Sequence, residues 1–379
     1  ELGASLPRAG GDYVYLRQAY GPLAGFLSGW VSFVVGFGAA IAASAVSFSA
    51  YAFRLVPSLE QTGVAPAVPA LALVWMLTAV HARGVSAGTV VQRLLTTTKV
   101  TALLLLIVGG LAVGEGAWNN FFIRSEQVEP SFGVTASGLV FVFYTYLGWN
   151  VAGYVAGELA DPIRALPKIV VGGTVFVAIL YLLINIVYFY ALPVTILGKP
   201  PLLPVAEKAA AALWGPDSAR ILALMLCLSI TGAVSAMIWA GPRVYWAMAN
   251  DGVFLKFFSE RDPATGAPVR SIILQSLWAS VLIITGTFEQ LVLFGGAVLA
   301  FFTALTVGAL FVLRFRQPDL PRPYRTPLYP FVPLLFVVSI LSLVSTIVVT
   351  RPGEALMGLG TIVTGAIAYR LFFKPAGSP

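Results

Sequence analysis

Residues 141–150 read FVFYTYLGWN and lie inside a run, 130–157, that contains no Asp, Glu, Lys or Arg. Such a run is long enough for one membrane-spanning helix, which needs about 20 mostly apolar residues. Yet Asn150 lies deep within it, close to Gly148, and the run's five glycines lower its helix propensity. We therefore expect a membrane helix that is broken near Gly148.

A broken helix of this type exposes backbone N–H and C=O groups near the middle of the membrane, where transporters bind zwitterions and ions. The alternative is an unbroken helix in which the glycines permit close packing and Asn150 bonds to a neighbouring helix. Irregular backbone at this depth is tolerated only where it is buried in protein or lines a cavity. That restriction favours the broken helix and a binding site beside it.

Charge-free runs of similar length extend along the rest of the chain. They are 18–53, 61–80, 130–157, 169–198, 221–242, 271–288, 290–313, 326–350 and 355–369, and a tenth run, 94–114, is interrupted only by Lys99. The first run fits one long tilted helix better than two spans joined by a turn. The pattern predicts an all-α integral membrane protein with about ten transmembrane helices.

The composition of the 379-residue chain agrees with a membrane protein, with 58% hydrophobic residues, 10% charged residues and a mean hydropathy of +0.89. Soluble domains carry about 25% charged residues, so a soluble enzyme, a disordered chain and a nucleic-acid-binding protein are excluded. Of the 23 Lys and Arg residues, sixteen fall on the side of the predicted spans that holds both ends. Because basic loops face the cytoplasm, we expect both ends there and the lipid bilayer around the spans.

Few side chains are suited to enzymatic or metal chemistry. Cys227 and His81 are each the only residue of their type, which leaves no internal disulfide, thiolate metal cage or histidine-based catalytic pair. We therefore expect no cofactor and no metal. His81 ends the second charge-free run next to Arg83, and we interpret it as an interfacial residue.

Lys99 is the one charge within the ten runs, and an intramembrane charge is by default a functional-site hypothesis. The alternative is that it extends to the membrane surface, since Arg93 lies only about one and a half turns away. Three hydroxyls, of Ser229, Thr231 and Ser235, surround Gly232 in another run. They could line a pocket, although such hydroxyls more often bond to their own helix backbone.

Glu158 and Asp161 follow the broken run on the predicted cytoplasmic side. We interpret them as residues that cap the next helix and pair locally. An inner gate is the alternative.

Several stretches in order along the chain resemble the amino acid–polyamine–organocation transporter superfamily, closest to bacterial relatives of the L-type amino acid transporters. The stretch 1–16 resembles the segment joining family helices 2 and 3, and 19–30 the entry to helix 3. The stretch 144–162 resembles broken helix 6, 240–252 the end of helix 8, and 318–324 the linker between helices 10 and 11.

This resemblance implies a leucine-transporter-like inverted-repeat helix bundle, forming one transmembrane domain over 1–379. Residues 1–114 would be the remainder of the first repeat, 130–316 the second repeat and 326–373 two accessory helices. The family has twelve helices, and the ten runs correspond to helices 3–12. The resemblance therefore implies an N-terminally truncated chain, and transport by this chain alone is in doubt.

The resemblance also implies site residues. Tyr144 would be the gating aromatic, the backbone of Thr145, Tyr146, Leu147 and Gly148 would bind the substrate ammonium, and Asn150 would lie at the pocket edge. Lys99 would replace the sodium ion of coupled relatives, with Ser229 as its neighbour.

We predict a sodium-independent secondary amino acid transporter, a permease or exchanger of the cell membrane that works by alternating access. Its partners would be an amino acid substrate and the lipid bilayer, without nucleic acid. The alternatives are a non-transporting membrane subunit or fragment and an integral-membrane enzyme, for which a nucleophile–base pair or an interfacial acid cluster would be required.

Overall fold

The computed structural model describes residues 1–123, 138–139, 142–143, 145–197, 199, 204–286, 288–350 and 352–373. These residues form helices and connecting loops, with no β-strand among them. The helices of nine or more residues are α1 (Asp12–Tyr20), α2 (Pro22–Leu55), α3 (Ala67–Ala82), α4 (Val85–Ala112), α5 (Pro162–Ala191), α6 (Val205–Trp214), α7 (Ser218–Ala240), α8 (Pro242–Asn250), α9 (Val269–Thr285), α10 (Phe288–Arg316), α11 (Phe331–Thr350) and α12 (Pro352–Ala368).

Nine of the ten charge-free runs contain one of these helices. Within the described residues, seven helical stretches are long and apolar enough to cross a membrane, and α3 and α9 are shorter apolar helices. The tenth run, 130–157, is described only in part. The prediction of an all-α integral membrane bundle is confirmed.

The long first helix, α2, is continuous over 34 residues, as the sequence predicts. It contains one π-helical stretch, Ser32–Phe37, where the backbone hydrogen bonding shifts. The indole Nε1 of Trp278 donates to the carbonyl oxygen of Val34 at 2.9 Å and so satisfies an acceptor in this stretch. A Cβ on Gly38 would lie 2.5 Å from Trp278, so glycine is what allows α9 to approach this closely.

Packing around α2 forms the main core of the bundle, with contributions from α1, α3, α7, α8 and α9. Small residues along α2 allow these helices to approach closely, as is usual in membrane bundles. The buried side chains include Tyr13, Phe26, Phe37, Ile41, Leu73, Val74, Leu77, Val234, Ile238, Val244, Tyr245 and Ile272. Because α2 is buried on most sides, it provides a fixed frame for the site.

Long-range polar contacts define the two ends of the bundle. At one end Gln18 donates to Gln317 and Arg8 pairs with Asp251. At the opposite end Asn120 donates to the carbonyl oxygen of Tyr190. The first end, called here the basic end, brings together segments that the Lys and Arg distribution assigns to the cytoplasm.

Helices α4 and α5 lie at the periphery, and their apolar side chains face outward. Leu105 on α4 is 67% exposed, as is Leu182 on α5, which is consistent with a surface in contact with lipid. Helix α4 begins at Val85, nine residues before the charge-free run at 94–114. This earlier start places Lys99 in the middle of the 28-residue helix rather than near its end.

Candidate functional site

The segment that follows Tyr144 is interrupted, as the sequence predicts. Residues 146–150 form turns, a four-residue helix spans Val151–Tyr154, and a single 3-10 turn spans Ala156–Glu158. Gly148 has φ +98, a conformation that side-chain-bearing residues rarely adopt, so a glycine is needed at this break. We call residues 145–158 the broken segment. Tyr144 lies outside the described residues.

The first half of the broken segment is held against α5 through Tyr181. The Tyr181 hydroxyl donates to the backbone carbonyl oxygen of Thr145 at 2.8 Å. The rings of Tyr146 and Tyr181 make an edge-to-face contact with centroids 5.0 Å apart. The Thr145 carbonyl, which is predicted to bind the substrate ammonium, therefore already accepts a hydrogen bond from the protein. The predicted role of the Leu147 and Gly148 backbone stays a prediction.

Asn150 meets a partner that sequence reasoning did not identify. Its Nδ2 donates to Oδ2 of Asp12 at 2.7 Å, and the Tyr154 hydroxyl donates to the same oxygen at 2.8 Å. Asp12 is only 8% exposed, and its other oxygen, Oδ1, has no hydrogen-bond partner among the described residues. The role of Asn150 at the pocket edge stays a prediction.

Two glycines make this contact close. Gly11 has φ +51, and a Cβ there would lie 2.6 Å from the Tyr154 ring. A Cβ on Gly153 would lie 2.8 Å from the hydroxyl oxygen of Tyr15. The backbone before α1 and the backbone of the broken segment therefore approach each other without intervening side chains, which leaves Asp12 little access to water.

Burial of Asp12 has an electrostatic consequence, because removal from water disfavours the charged carboxylate. Burial raises the pKa of Asp12 from 3.8 to about 6, although hydrogen bonds from Tyr154 and Asn150 act in the opposite direction. Among the described residues no cation contributes to this shift. The buried carboxyl therefore holds a proton more readily than an exposed aspartate does.

A cavity of about 360 Å³ adjoins Asp12 and Asn150 at the basic end. Apolar side chains form most of its wall, and the buried hydroxyl of Thr306 is a second polar atom there that has no hydrogen-bond partner among the described residues. Its lining also includes Trp149, Leu166, Val170, Leu310 and Phe336. A cavity of this size has room for several water molecules.

Lys99 lies on the side of α4 that packs against α7. One turn earlier, the Leu95 side chain packs against Gly232, and Gln92 donates to the Gly232 carbonyl oxygen at 3.3 Å. Ser229 lies about one turn before Gly232 on the antiparallel helix α7, so it occupies a level similar to that of Lys99. No ion pair or hydrogen bond of Lys99 is found among the described residues. The predicted pairing of Lys99 with Ser229 stays a prediction.

The interpretation of His81 as an interfacial residue is wrong. His81 is 2% exposed, and its Nε2 lies 2.9 Å from the Ser235 hydroxyl across the α3–α7 contact. The reason is tertiary packing, because the ring lies between Ser235 of α7 and Gly88 of α4, where an added Cβ would be 2.5 Å from Nδ1. Thr231, in contrast, bonds to the Cys227 carbonyl oxygen of its own helix at 2.8 Å, as the alternative interpretation predicts.

Glu158 and Asp161 separate into two roles. Asp161 caps α5, with its carboxylate accepting from the backbone N–H of Arg164 at 3.2 Å. Glu158 instead forms a long-range ion pair with Arg243 at 2.8 Å, and Arg243 is 1% exposed. The expectation of local pairing for Glu158 is therefore wrong, since its partner lies at the start of α8.

A second ionic cluster joins α1 to the loop after α8. Asp251 accepts from the Tyr13 hydroxyl at 2.9 Å and pairs with Arg8 at 3.0 Å and with Arg17. Arg8 is 58% exposed, so water reaches this cluster. The described residues contain no group of His, Cys, Asp and Glu suited to hold a metal ion.

Comparison with known proteins identifies the family of this chain. The family model for amino acid permeases matches residues 1–367. The chain is 29% identical over 379 residues to the b(0,+)-type amino acid transporter 1 of Mus musculus, covering 98% of this chain and 76% of that protein. It is 30% identical over 377 residues to the large neutral amino acids transporter small subunit 2 of Mus musculus, covering 96% and 69%.

One conclusion follows from three features: an interrupted segment in a helix bundle, a buried acid beside the interruption, and a family match over nearly the whole chain. The chain is a multi-pass membrane protein that belongs to the amino acid permease family.

Proposed function

We propose that this protein is a secondary amino acid transporter of the cytoplasmic membrane, working by alternating access without sodium, and that it is not an enzyme. The observation that carries the proposal is the interruption at residues 146–150 within a helix bundle of the amino acid permease family. Such an interruption leaves backbone groups available to a zwitterion. The relatives named above are an amino acid transporter and a transporter subunit, which supports the same class of substrate.

In this proposal the broken segment forms one wall of the substrate site. Backbone groups of Thr145, Tyr146, Leu147 and Gly148 receive the substrate ammonium, Tyr144 covers the site and Asn150 lies at its edge. Supporting geometry includes the positive φ of Gly148, which turns the chain out of a helix. The carbonyl of Thr145 becomes available to substrate when Tyr181 releases it.

Lys99 supplies the fixed positive charge that makes sodium unnecessary. It is the fifteenth residue of α4, so it lies about 21 Å from the start of that helix. Its side chain is half-buried, whereas that of Arg93 is exposed, which favours a role inside the bundle over extension to the membrane surface. A charge at this depth requires partners, and we propose Ser229 as one of them.

The orientation follows from the positive-inside rule. We propose that the basic end faces the cytoplasm and that both ends of the chain lie there. The division into a first repeat (1–114), a second repeat (130–316) and two accessory helices (326–373) belongs to the same proposal.

The test is uptake of radiolabelled neutral amino acids by the purified protein in lipid vesicles. Asn150→Ala and Tyr144→Ala are each expected to reduce uptake by about twofold to tenfold, since a lost hydrogen bond or ring contact costs about 0.5–1.5 kcal/mol. The matched control is Asn185→Ala, because Asn185 on α5 is exposed and bonds to the carbonyl of Tyr181 in its own helix. Unchanged uptake in both site variants would refute the assigned pocket.

Two further measurements test the transport class. Replacing sodium with choline outside the vesicles is expected to leave uptake unchanged, whereas strict dependence on sodium would contradict the role of Lys99. The accumulated label is expected to be chemically intact amino acid. A converted product would favour the enzyme alternative.

A further inference from the structure

At the basic end Asp12 and Glu158 each have one buried oxygen without a hydrogen-bond partner among the described residues, but Glu158 pairs with Arg243 through its other oxygen. Asp12 accepts from two neutral donors, Asn150 and Tyr154, and both bond to the same oxygen, Oδ2. Oδ1 is buried and has no partner among the described residues. A carboxylate with one satisfied oxygen and one buried, unsatisfied oxygen is unfavourable unless something neutralises it.

We propose that Asp12 binds a proton at Oδ1, and that this proton controls how firmly the broken segment is held against α1. With Oδ1 protonated, Oδ2 keeps both hydrogen bonds and no net charge is buried. When the proton leaves, the carboxylate gains stability from water, and the contact with Asn150 and Tyr154 loosens. The ligand of this site is therefore a proton, delivered through the adjoining cavity.

The groups that face Asp12 support this assignment. Tyr15 on α1 and Tyr154 on the broken segment are the nearby titratable groups, and both are neutral phenols. Ser32 on α2 faces the Tyr154 hydroxyl, and Thr306 on α10 lines the same cavity.

The charged groups nearby are already paired with one another. Glu1, which lines the cavity, is held by Arg314 at 2.6 Å and by Arg322 at 3.4 Å. Arg17 pairs with Asp251 on another face of α1. Arg243 pairs with Glu158 further along the broken segment. With these cations occupied, a proton is the positive charge left for Asp12.

The sign of the pH effect follows from linkage. A carboxyl whose pKa is raised from 3.8 to about 6 in the docked arrangement binds its proton more tightly there than when it faces water. Docking is therefore fully favoured below about pH 4 and weakens as pH rises through about 6. A pKa difference of about two corresponds to about a hundredfold change in the docking equilibrium.

The experiment compares wild type with Asp12→Asn, whose side chain imitates the neutral acid, by hydrogen exchange of the purified protein in lipid vesicles. Comparison at one pH removes the intrinsic pH dependence of amide exchange. At about pH 8 the amides of residues 150–158 are expected to exchange more slowly in Asp12→Asn, by up to about a hundredfold. At about pH 4, where the undocked acid is also largely protonated, the two proteins are expected to agree within about threefold. Equal exchange at both pH values, or faster exchange in the variant at about pH 8, would overturn the proposal.

A second measurement observes the proton itself. Infrared difference spectra between about pH 5 and about pH 8 are expected to contain a protonated-carboxyl band with a midpoint near pH 6 that Asp12→Asn removes. Tyr154→Phe removes one hydrogen-bond donor to the ionised Asp12, so the midpoint of the Asp12 band in this variant is expected about one pH unit higher. Asp262→Asn is the control, because Asp262 is an exposed acid that accepts from backbone amides of its own turn. A band that survives in Asp12→Asn, or a midpoint below about pH 4.5, would contradict the assignment.

The consequence for transport rests on the proposed function. Neutral amino acid uptake is expected to change across about pH 6 in wild type and to lose that dependence in Asp12→Asn. Absence of uptake in wild type would refute the transport proposal and leave the exchange and infrared results to decide the proton site.

Discussion

Two acids fasten the broken segment at the basic end, Glu158 from within it and Asp12 from α1, yet their charges are compensated differently. Glu158 meets the guanidinium of Arg243 at 2.8 Å, whereas Asp12 meets only an amide and a phenol. The two points of contact on the segment, Asn150 and Glu158, are eight residues apart. Glu158 has a cation beside it, whereas Asp12 has only neutral donors.

The Glu158 contact is therefore a permanent attachment of the broken segment, whereas the Asp12 contact is an adjustable one. A buried guanidinium stays charged at any physiological pH, so the positive charge beside Glu158 is permanent. A buried carboxyl among neutral donors responds because its charge is uncompensated. Two contacts of different character on one short segment allow it to remain attached at one point while it loosens at the other.

The largest effect is expected from breaking the ionic contact. Arg243→Ala leaves Glu158 buried beside an empty space and is expected to cost about 3–5 kcal/mol of unfolding free energy, measured by thermal unfolding in detergent. Arg164→Ala is the control, because its ion pair with Asp161 is 86% exposed on the arginine side. A loss below about 1 kcal/mol in Arg243→Ala would show that Glu158 is not effectively buried.

A smaller loss is expected at the Asp12 contact, and its size depends on the replacement. Asp12→Ala leaves the Asn150 and Tyr154 donors without an acceptor and is expected to cost about 2 kcal/mol near pH 5. Asp12→Asn keeps an acceptor oxygen and is expected to lose less than about 1 kcal/mol. Equal losses in the two variants would contradict the hydrogen-bond geometry described here.

The close approach of the two backbones can be tested separately from charge. Gly153→Ala would bring a methyl group to 2.8 Å from the Tyr15 hydroxyl oxygen, and overpacking of this kind costs about 1–2 kcal/mol. Gly172→Ala on α5 is the matched control, since nothing lies within 4 Å of its added carbon. We expect the control to be neutral or slightly stabilising. A Gly153 variant as stable as the control would mean that the two backbones lie further apart than in the structure.

The smallest effect is expected at the exposed cluster around Asp251. Arg8 is 58% exposed, so Arg8→Ala is expected to change unfolding free energy by less than about 1 kcal/mol, and less still at high salt. Thermal unfolding at low and high ionic strength measures this difference. A salt-insensitive loss above about 2 kcal/mol would place this pair in the same class as Glu158 and Arg243.

The interruption itself was predictable from the sequence, because Gly148 and a polar Asn150 within an apolar run are unfavourable for an unbroken membrane helix. The partner of Asn150 was not predictable, since Asp12 is separated from it by 138 residues. A signal was nevertheless present. Asp12 follows Gly10 and Gly11, a pair that permits close backbone approach and precedes a buried acid.

His81 is a residue whose burial the sequence did not predict. Its position at the end of an apolar run suggested the membrane surface, but the ring is enclosed between Ser235 of α7 and Gly88 of α4. Burial of a residue at a helix end depends on which other helices pack there, and the local sequence pattern contains no information on that packing.

The sequence by itself determined the membrane class, the helical spans, the break near Gly148 and the asymmetry of basic residues, because hydropathy and backbone propensity act over short distances along the chain. Only the tertiary structure decided which acid is paired with arginine and which is left among neutral donors. That choice depends on side chains brought together from distant segments, whose desolvation and hydrogen bonding set the charge of each acid.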